Sequence, residues 1–126
     1  MKKLLFLLTA VLLFAAQAIA QTPARLDPAA FQVRAQQDKV LLIDVRTPEE
    51  YAKGHLAGSR NIDWLDNGFM AVVGKLDHKA PVLLYCAVGG RSEEAAAALR
   101  KAGFTDVHDM EGGINAWKAQ GLPITK

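Results

Sequence analysis

The feature that most constrains this chain is the apolar run Val82–Tyr85, which passes through a short glycine-containing loop into an alanine-rich segment. A short, continuous apolar run favours a buried strand. The alanines, leucine and charged residues after the loop favour a helix. This strand–loop–helix order indicates an α/β protein. The loop residues are Cys86, Ala87, Val88, Gly89, Gly90, Arg91 and Ser92.

The composition of this loop is suited to binding an anion. A loop that enters a helix turns its backbone N–H groups inward, and the helix N-terminus adds about half a positive charge. Such surroundings lower a thiol pKa from about 8.5 to about 3.5–7.5. Gly89 and Gly90 allow a tight curl, and Arg91 offers a planar fork for an oxyanion. We therefore expect Cys86 to be a nucleophilic thiolate and residues 87–92 to bind the substrate. The alternative is a small buried hydrophobic residue at a strand end.

The first twenty residues have the pattern of a secretory signal peptide. Two lysines follow Met1, residues 4–16 are apolar apart from one threonine, and a small-residue cleavage site ends at Ala20. The alternative is a membrane anchor, for which the apolar stretch is short, since a span needs about 20 residues. The sequence therefore predicts a cleavable signal peptide at 1–20, export to a bacterial periplasm, and one domain at 21–126.

Charge and cysteine content narrow the classes of function. The chain has 15 basic and 13 acidic residues, and two of the basic residues lie in the leader. The remaining 13 basic and 13 acidic residues balance, which gives no indication of a nucleic acid or an anionic membrane as partner. Cys86 is the only cysteine, so an internal disulfide is impossible. In an oxidising compartment its thiol must be buried, paired with another chain or used chemically.

Capping signals predict where the first helix begins. Asp27 followed by a proline predicts a helix over residues 29–37. Its inward-facing side chains are expected to be Phe31 and either Val33 or Ala35. The residues before it are expected to form a loose connection from the cleavage site.

Two further helix starts follow. Thr47, a proline and Glu50 form the pattern of a capping box, which predicts a short helix ending near Lys53. Asp63 precedes residues 64–76, where apolar side chains recur at helical spacing and predict another helix.

Short apolar runs alternate with these helical stretches. Residues 40–43 and 82–85 are continuously apolar, which favours strands covered on both faces, and residues 107–108 form a last short strand. The alternation predicts a mainly parallel sheet with helices on both faces. Functional groups in such sheets gather at the carboxyl ends of the strands. We therefore expect Cys86 and residues 44–46 to lie on the same rim.

Three motifs, in order along the chain, resemble the rhodanese family of sulfurtransferases. Residues 42–62 are similar to the first signature of the family, and residues 110–123 are similar to its C-terminal signature. The resemblance spans residues 28–124 and implies a rhodanese-like three-layer sandwich. The loop positions that match the Cys-x-x-Gly-x-Arg-Ser active loop are Cys86, Gly89, Arg91 and Ser92.

The resemblance also implies an activity. Cys86 would take a sulfane sulfur from a donor such as thiosulfate, and a thiophilic acceptor (cyanide, a thiol or a protein thiol) would then remove it from the persulfide. The six residues from Cys86 to Arg91 resemble the loop length of sulfurtransferases, whereas related phosphatases have one residue more. Ala87 stands where relatives are often basic, so a persulfide donor is expected to serve better than thiosulfate. Phosphatase or arsenate-reductase activity is an alternative.

Two hypotheses from different functional classes compete with this activity. One is a non-catalytic rhodanese-like module that binds a partner, although such modules often lack the cysteine that this chain keeps. The second is a persulfide carrier or a periplasmic thiol redox protein, against which the lack of a Cys-x-x-Cys pair argues.

Asp44 and Arg46 are the supporting residues of the predicted site. They either contact the substrate or, as we expect, have a structural role, since an Asp and an Arg near a strand end can bond the backbone of loops and tie the rim together. His55, His78 and His108 have no spacing typical of a zinc site. The sequence therefore predicts neither a metal nor a cofactor.

Overall fold

The computed structural model of the chain describes residues 23–126, so the predicted leader at 1–20 lies outside the described residues. Strands and helices alternate along this range. The strands are β1 (Arg25–Leu26), β2 (Leu41–Asp44), β3 (Arg60–Asn61), β4 (Val82–Tyr85) and β5 (Val107–Met110). The helices are α1 (Pro28–Ala35), α2 (Pro48–Ala52), α3 (Phe69–Val73), α4 (Gly90–Lys101) and α5 (Gly113–Ala119).

The strands form one parallel sheet in the order β1-β5-β4-β2-β3. Strand β4 is central, and each of its four residues is fully buried. This burial on both faces explains why its sequence is continuously apolar rather than alternating. The two-residue strands β1 and β3 form the edges. The predicted parallel α/β fold is therefore confirmed.

Helices cover both faces of the sheet. One face, here called the Cys86 face, carries α3 and α4, and the opposite one, the Tyr85 face, carries α1 and α5. The predicted three-layer sandwich is confirmed. Buried residues of the Cys86 face include Phe69, Val73, Leu84, Ala95, Ala96 and Leu99. Those of the Tyr85 face include Phe31, Leu83, Met110, Ile114 and Trp117. Among the helices of residues 23–126, none is long and apolar enough to cross a membrane.

The side-chain caps predicted for α1 and α2 form. The Asp27 carboxylate accepts from the Ala30 N–H at 2.8 Å and begins α1. Thr47 and Glu50 form the predicted capping box at the start of α2. Phe31 is buried as expected and Ala35 is half-buried, but Val33 is 66% exposed and does not face the core.

The long helix predicted over residues 64–76 is wrong. Only Phe69–Val73 is helical, and it begins after Gly68. The Asp63 carboxylate accepts from the Leu65 N–H at 2.9 Å, and the Asp66 carboxylate accepts from the Gly68 N–H at 2.7 Å. These local bonds stabilise turns that compete with a helix.

The loose connection predicted before Asp27 is also wrong in part. Arg25 and Leu26 form β1, which pairs with β5. The last strand is longer than predicted, since β5 continues to Met110. These two strands bring the start of the described chain beside the predicted catalytic loop.

Candidate active site

The predicted loop connects the carboxyl end of β4 to α4. Helix α4 begins at Gly90, earlier than the sequence indicated, which placed the helix after Ser92, so Arg91 and Ser92 lie in its first turn. Gly89 precedes the helix with a φ of 109°, a left-handed conformation that favours glycine. Cys86 therefore lies directly below the N-terminus of a twelve-residue helix.

Hydrogen-bond donors converge on the cysteine sulfur. The Gly89 N–H points to Cys86 Sγ at 3.1 Å, and the Ser92 N–H points to it at 3.4 Å. The Ser92 hydroxyl oxygen lies 3.5 Å from the same sulfur. Two backbone N–H groups of the loop therefore face the sulfur.

These donors change the acidity of the thiol. Burial alone opposes ionisation and would raise the pKa of Cys86. The Ser92 hydroxyl and the N–H groups of Ser92, Gly89 and Val88 act in the opposite direction and prevail, so the pKa lies below its ordinary value. The loop therefore stabilises a thiolate within a buried setting.

The sulfur is less accessible than the sequence reasoning assumed. Cys86 is only 1% exposed, whereas Val88 at the tip of the loop is 67% exposed. Ala87 is half-buried, and Gly90 is exposed. Any molecule that reaches the Cys86 sulfur must therefore pass these small and apolar loop residues.

The guanidinium of Arg91, which was predicted to bind an oxyanion, is already paired within the protein. Its two terminal nitrogens donate to the two carboxylate oxygens of Glu50 at 2.8 and 2.9 Å. These bonds from Arg91 are the main reason that the pKa of Glu50 is held at about 2, well below its ordinary value. Sequence reasoning assigned Glu50 to the capping box alone, and a partner 41 residues away gave no local signal.

Asp44 and Arg46 lie at the same rim but bind each other rather than the loop. Arg46 donates from Nε and a terminal nitrogen to the Asp44 carboxylate, at 2.7 Å for the shortest bond, and to the Gly54 carbonyl at 2.7 Å. Asp44 is in register with Tyr85, so both side chains lie on the Tyr85 face. The sheet separates this buried pair from the Cys86 sulfur.

Sequence reasoning missed two charged residues that adjoin the loop. Asp109, in β5, accepts from the Ser92 hydroxyl at 3.1 Å and from Arg25 at 2.9 Å. A carboxylate is rarely buried within a strand unless it is paired. This rarity was the one feature of the sequence that could have indicated a role for Asp109. Arg25 had none, because its role depends on pairing between β1 and β5.

Helix α5 holds the loop from its opposite side. The N–H groups of Ile114 and Asn115 donate to the carbonyls of Cys86 and Ala87 at 2.9 and 3.1 Å. These bonds fix the carbonyl side of the loop, so its N–H groups are free to face the sulfur. The C-terminal motif of the sequence therefore supports the site structurally.

The three histidines occupy separate places. His55 stacks on Tyr51, His78 packs against Phe104, and His108 bonds Asp106. Within residues 23–126, no group of three or more His, Cys, Asp or Glu side chains is arranged to hold a metal ion.

Comparison with known proteins agrees with this geometry. A family model described as the rhodanese-like domain matches residues 27–120. The thiosulfate sulfurtransferase GlpE of Pseudomonas paraeruginosa is 36% identical over 78 residues, which cover 62% of this chain and 69% of that protein. The chloroplastic thiosulfate sulfurtransferase 16 of Arabidopsis thaliana is 37% identical over 91 residues, covering 64% and 76%.

A solved structure gives the same result for the fold. A rhodanese-related protein from Thermoplasma volcanium superimposes with a TM-score of 0.72 and 27% identity, covering 82% of this chain and 98% of that one. The family model spans most of the chain and includes the whole loop from Cys86 to Ser92. By sequence, fold and loop geometry, this chain belongs to the rhodanese-like domain family.

Proposed function

We propose that the protein is a sulfurtransferase that carries a sulfane sulfur as a persulfide on Cys86. The observation that supports this most directly is the pair of backbone N–H groups that donate to the sulfur, from Gly89 at 3.1 Å and from Ser92 at 3.4 Å, with the Ser92 hydroxyl oxygen 3.5 Å from the same atom. Donors aimed at a developing negative charge stabilise it most where water is excluded. Relatives named as thiosulfate sulfurtransferases share this family.

The proposed reaction has two steps and needs no external oxidant or reductant. The Cys86 thiolate attacks the outer sulfur of the donor, a new S–S bond forms, and the donor's own S–S bond breaks. With thiosulfate as donor, the released electron pair leaves on sulfite. The terminal sulfur of the persulfide then carries the negative charge until an acceptor thiolate or cyanide attacks it and regenerates the Cys86 thiolate.

The charges around the loop favour a donor with little negative charge. Arg91 is the only charged residue among residues 86–92, and Glu50 already binds both of its terminal nitrogens. Glu93 lies in the first turn of α4, and Glu94 follows it. We therefore infer that a persulfide of a thiol or of a protein serves as donor at lower concentrations than dianionic thiosulfate.

The assignment is tested by intact mass spectrometry of the protein comprising residues 21–126. After incubation with thiosulfate or with a thiol persulfide, we expect a gain of one sulfur atom that cyanide removes as thiocyanate. The matched control is Cys86→Ser, which keeps the side-chain size and must stay unmodified. Absence of the added sulfur with both donors, or equal gain in the control, contradicts the proposal.

We also propose that residues 1–20 are removed during export, so that the mature domain begins at Gln21. Support for this comes from the basic start, the apolar stretch and the small residues ending at Ala20. Expression of the full chain in a bacterium, followed by periplasmic extraction, is expected to yield protein whose mass corresponds to residues 21–126. Full-length protein confined to the cytoplasm contradicts the proposal.

A further inference from the structure

A buried ion pair stands directly behind the catalytic loop. Arg25 of β1 and Asp109 of β5 are register partners in the parallel sheet. The Asp109 side chain is 4% exposed and the Arg25 side chain is 36% exposed, so the carboxylate is enclosed while the guanidinium reaches solvent. A buried carboxylate is costly unless it is paired, and structural pairing is the ordinary explanation.

The pair also affects the hydrogen bonding of Ser92, because Asp109 contacts the Ser92 hydroxyl. The Ser92 hydroxyl has one proton and three acceptors within reach. They are Asp109 Oδ2 at 3.1 Å, the Gly89 carbonyl at 3.3 Å and Cys86 Sγ at 3.5 Å. Whichever acceptor is strongest takes the proton, so the thiolate competes with Asp109 for the same hydroxyl.

Arg25 acts on both of the competing acceptors. It donates from Nε and a terminal nitrogen to Asp109 Oδ2, at 3.2 and 2.9 Å, which is the same oxygen that Ser92 contacts. It also donates to the Gly89 carbonyl at 2.6 Å. By occupying both oxygens, Arg25 weakens their attraction for the Ser92 proton. It also holds the peptide of Gly89, whose N–H points to the sulfur.

We propose that Arg25 and Asp109 are positioning residues for sulfur transfer, which set how far the Ser92 hydroxyl serves the Cys86 sulfur. Neither touches the reacting sulfur, and both act through Ser92 and Gly89. The effect on sulfur transfer rests on the proposed function. The effect on ionisation of the Cys86 thiol does not depend on it.

Further charges face this region and must be kept constant in a test. Glu93 lies 3.4 Å from Arg25 and is 70% exposed. The pair of Arg91 in α4 and Glu50 in α2 lies beside the loop, and Glu111, which follows β5, acts on Arg25. The Arg91–Glu50 pair stays intact when Arg25 or Asp109 is replaced. Replacing Arg25 removes only the exposed contact to Glu93 in addition.

The experiment measures the pH dependence of Cys86 alkylation by iodoacetamide in two single variants of the protein. In Arg25→Gln, an uncompensated carboxylate draws the Ser92 hydroxyl and repels the thiolate, so the profile moves to higher pH. In Asp109→Asn, the competing negative charge is lost and Arg25 remains, so the profile moves to lower pH. We expect the alkylation rate below neutral pH to change by about three- to tenfold in opposite directions.

Opposite directions distinguish positioning from a merely structural role, because disordering of the loop would move both variants the same way. The double variant Arg25→Gln/Asp109→Asn is expected to return close to the parent profile. The matched control is Arg34→Gln, which breaks an arginine–aspartate pair with Asp106 at the amino end of β5. It should leave the profile unchanged.

Shifts in the same direction, or no shift in either variant, overturn the inference. If Arg25→Gln does not fold, Asp109→Asn and the double variant decide, because a profile of Asp109→Asn that stays in place is sufficient to refute it. Persulfide formation is measured separately on the parent protein. Its failure would contradict the proposed function and leave the alkylation result standing.

Discussion

At the scale of single residues, Glu50 connects two helices that the sequence presents as independent. Its Oε1 accepts from the backbone and hydroxyl of Thr47, at 3.3 and 3.1 Å, and from Arg91 at 2.8 Å. Its Oε2 accepts from Arg91 at 2.9 Å. One carboxylate therefore caps α2 and orients the first turn of α4.

Replacing this carboxylate tests the link through the pH dependence of stability. The pKa of Glu50 is lowered from 4.5 to about 2, so its ionised form stabilises the fold fully above about pH 4.5. That contribution is lost as the pH falls toward 2. Glu50→Gln is expected to lower the free energy of unfolding by about 1 kcal/mol near neutral pH, since the pair is partly exposed. The difference from the parent should shrink toward zero near pH 2.

Urea unfolding followed by circular dichroism at several pH values measures this difference. The matched control is Glu49→Gln, because Glu49 is the exposed neighbour of Glu50 in the same helical turn. A loss of equal size in both variants, or a difference that does not depend on pH, contradicts the assignment.

At the scale of secondary-structure elements, the helix starts, the central strand and the loop could be predicted because they depend on residues that are close in sequence. The starts of α1 and α2 follow from Asp27 and Thr47, whose side chains bond backbone groups three residues away. Strand β4 follows from its continuous apolar run. The loop was predicted with its glycines, cysteine and donors, because strand, loop and helix are contiguous in sequence.

What was missed depended on contacts distant in sequence. Strand β1 has two residues and no periodicity, and it exists through its pairing with β5, 84 positions along the chain. Arg91 was expected to bind substrate, but Glu50 takes both of its terminal nitrogens. The burial of Cys86 arises from packing of α4 on the sheet, which no local pattern reports.

The contact between α5 and the loop gives an element-scale prediction. Gly113 has a φ of 60°, and a Cβ built there would overlap the carbonyl oxygens of Ala87 and Cys86. These are backbone atoms that cannot move without displacing the loop. Gly113→Ala is therefore expected to lower the free energy of unfolding by about 3 kcal/mol or more, since overpacking adds to backbone strain.

The chain offers a control glycine that also has a positive φ but has free space around it. Gly121 has a φ of 74°, and a Cβ there would meet nothing within 4 Å. Gly121→Ala is expected to cost only the left-handed strain, about 1–2 kcal/mol. Thermal and urea unfolding of both variants measure the costs, and equal values would show that the loop does not press against α5.

At the scale of the whole molecule, the sheet order brings a fully buried central strand, β4, and a short edge strand, β1, close together around the site. Strand β4 has neighbours on both sides and buried residues on both faces, whereas β1 is a two-residue edge strand. Cys86 follows the first, and Arg25 belongs to the second. The Cys86 sulfur is thus attached to the central strand of the sheet, whereas Arg25, which bonds Asp109, is attached to an edge strand. An edge strand is the part of a sheet that opens most readily.

Hydrogen exchange measured by NMR separates these two levels of stability. The N–H groups of Asp109 and Glu111 donate to the carbonyls of Ala24 and Leu26 at 3.2 and 2.8 Å, so they report on β1. The Val45 N–H donates to the Tyr85 carbonyl at 3.0 Å and reports on the centre of the sheet. Opening of an edge costs less free energy than global unfolding, so we expect the first two amides to exchange at least about tenfold faster than Val45.

The same experiment examines how β1 is attached. Because Arg25 bonds both Asp109 and the Gly89 carbonyl, Arg25→Gln removes contacts that hold the edge strand. It should therefore speed exchange at Asp109 and Glu111 more than at Val45, relative to the Arg34→Gln control. Equal acceleration at all three amides would mean that β1 opens only with the whole domain. The Arg25–Asp109 pair would then be as rigid as the central strand.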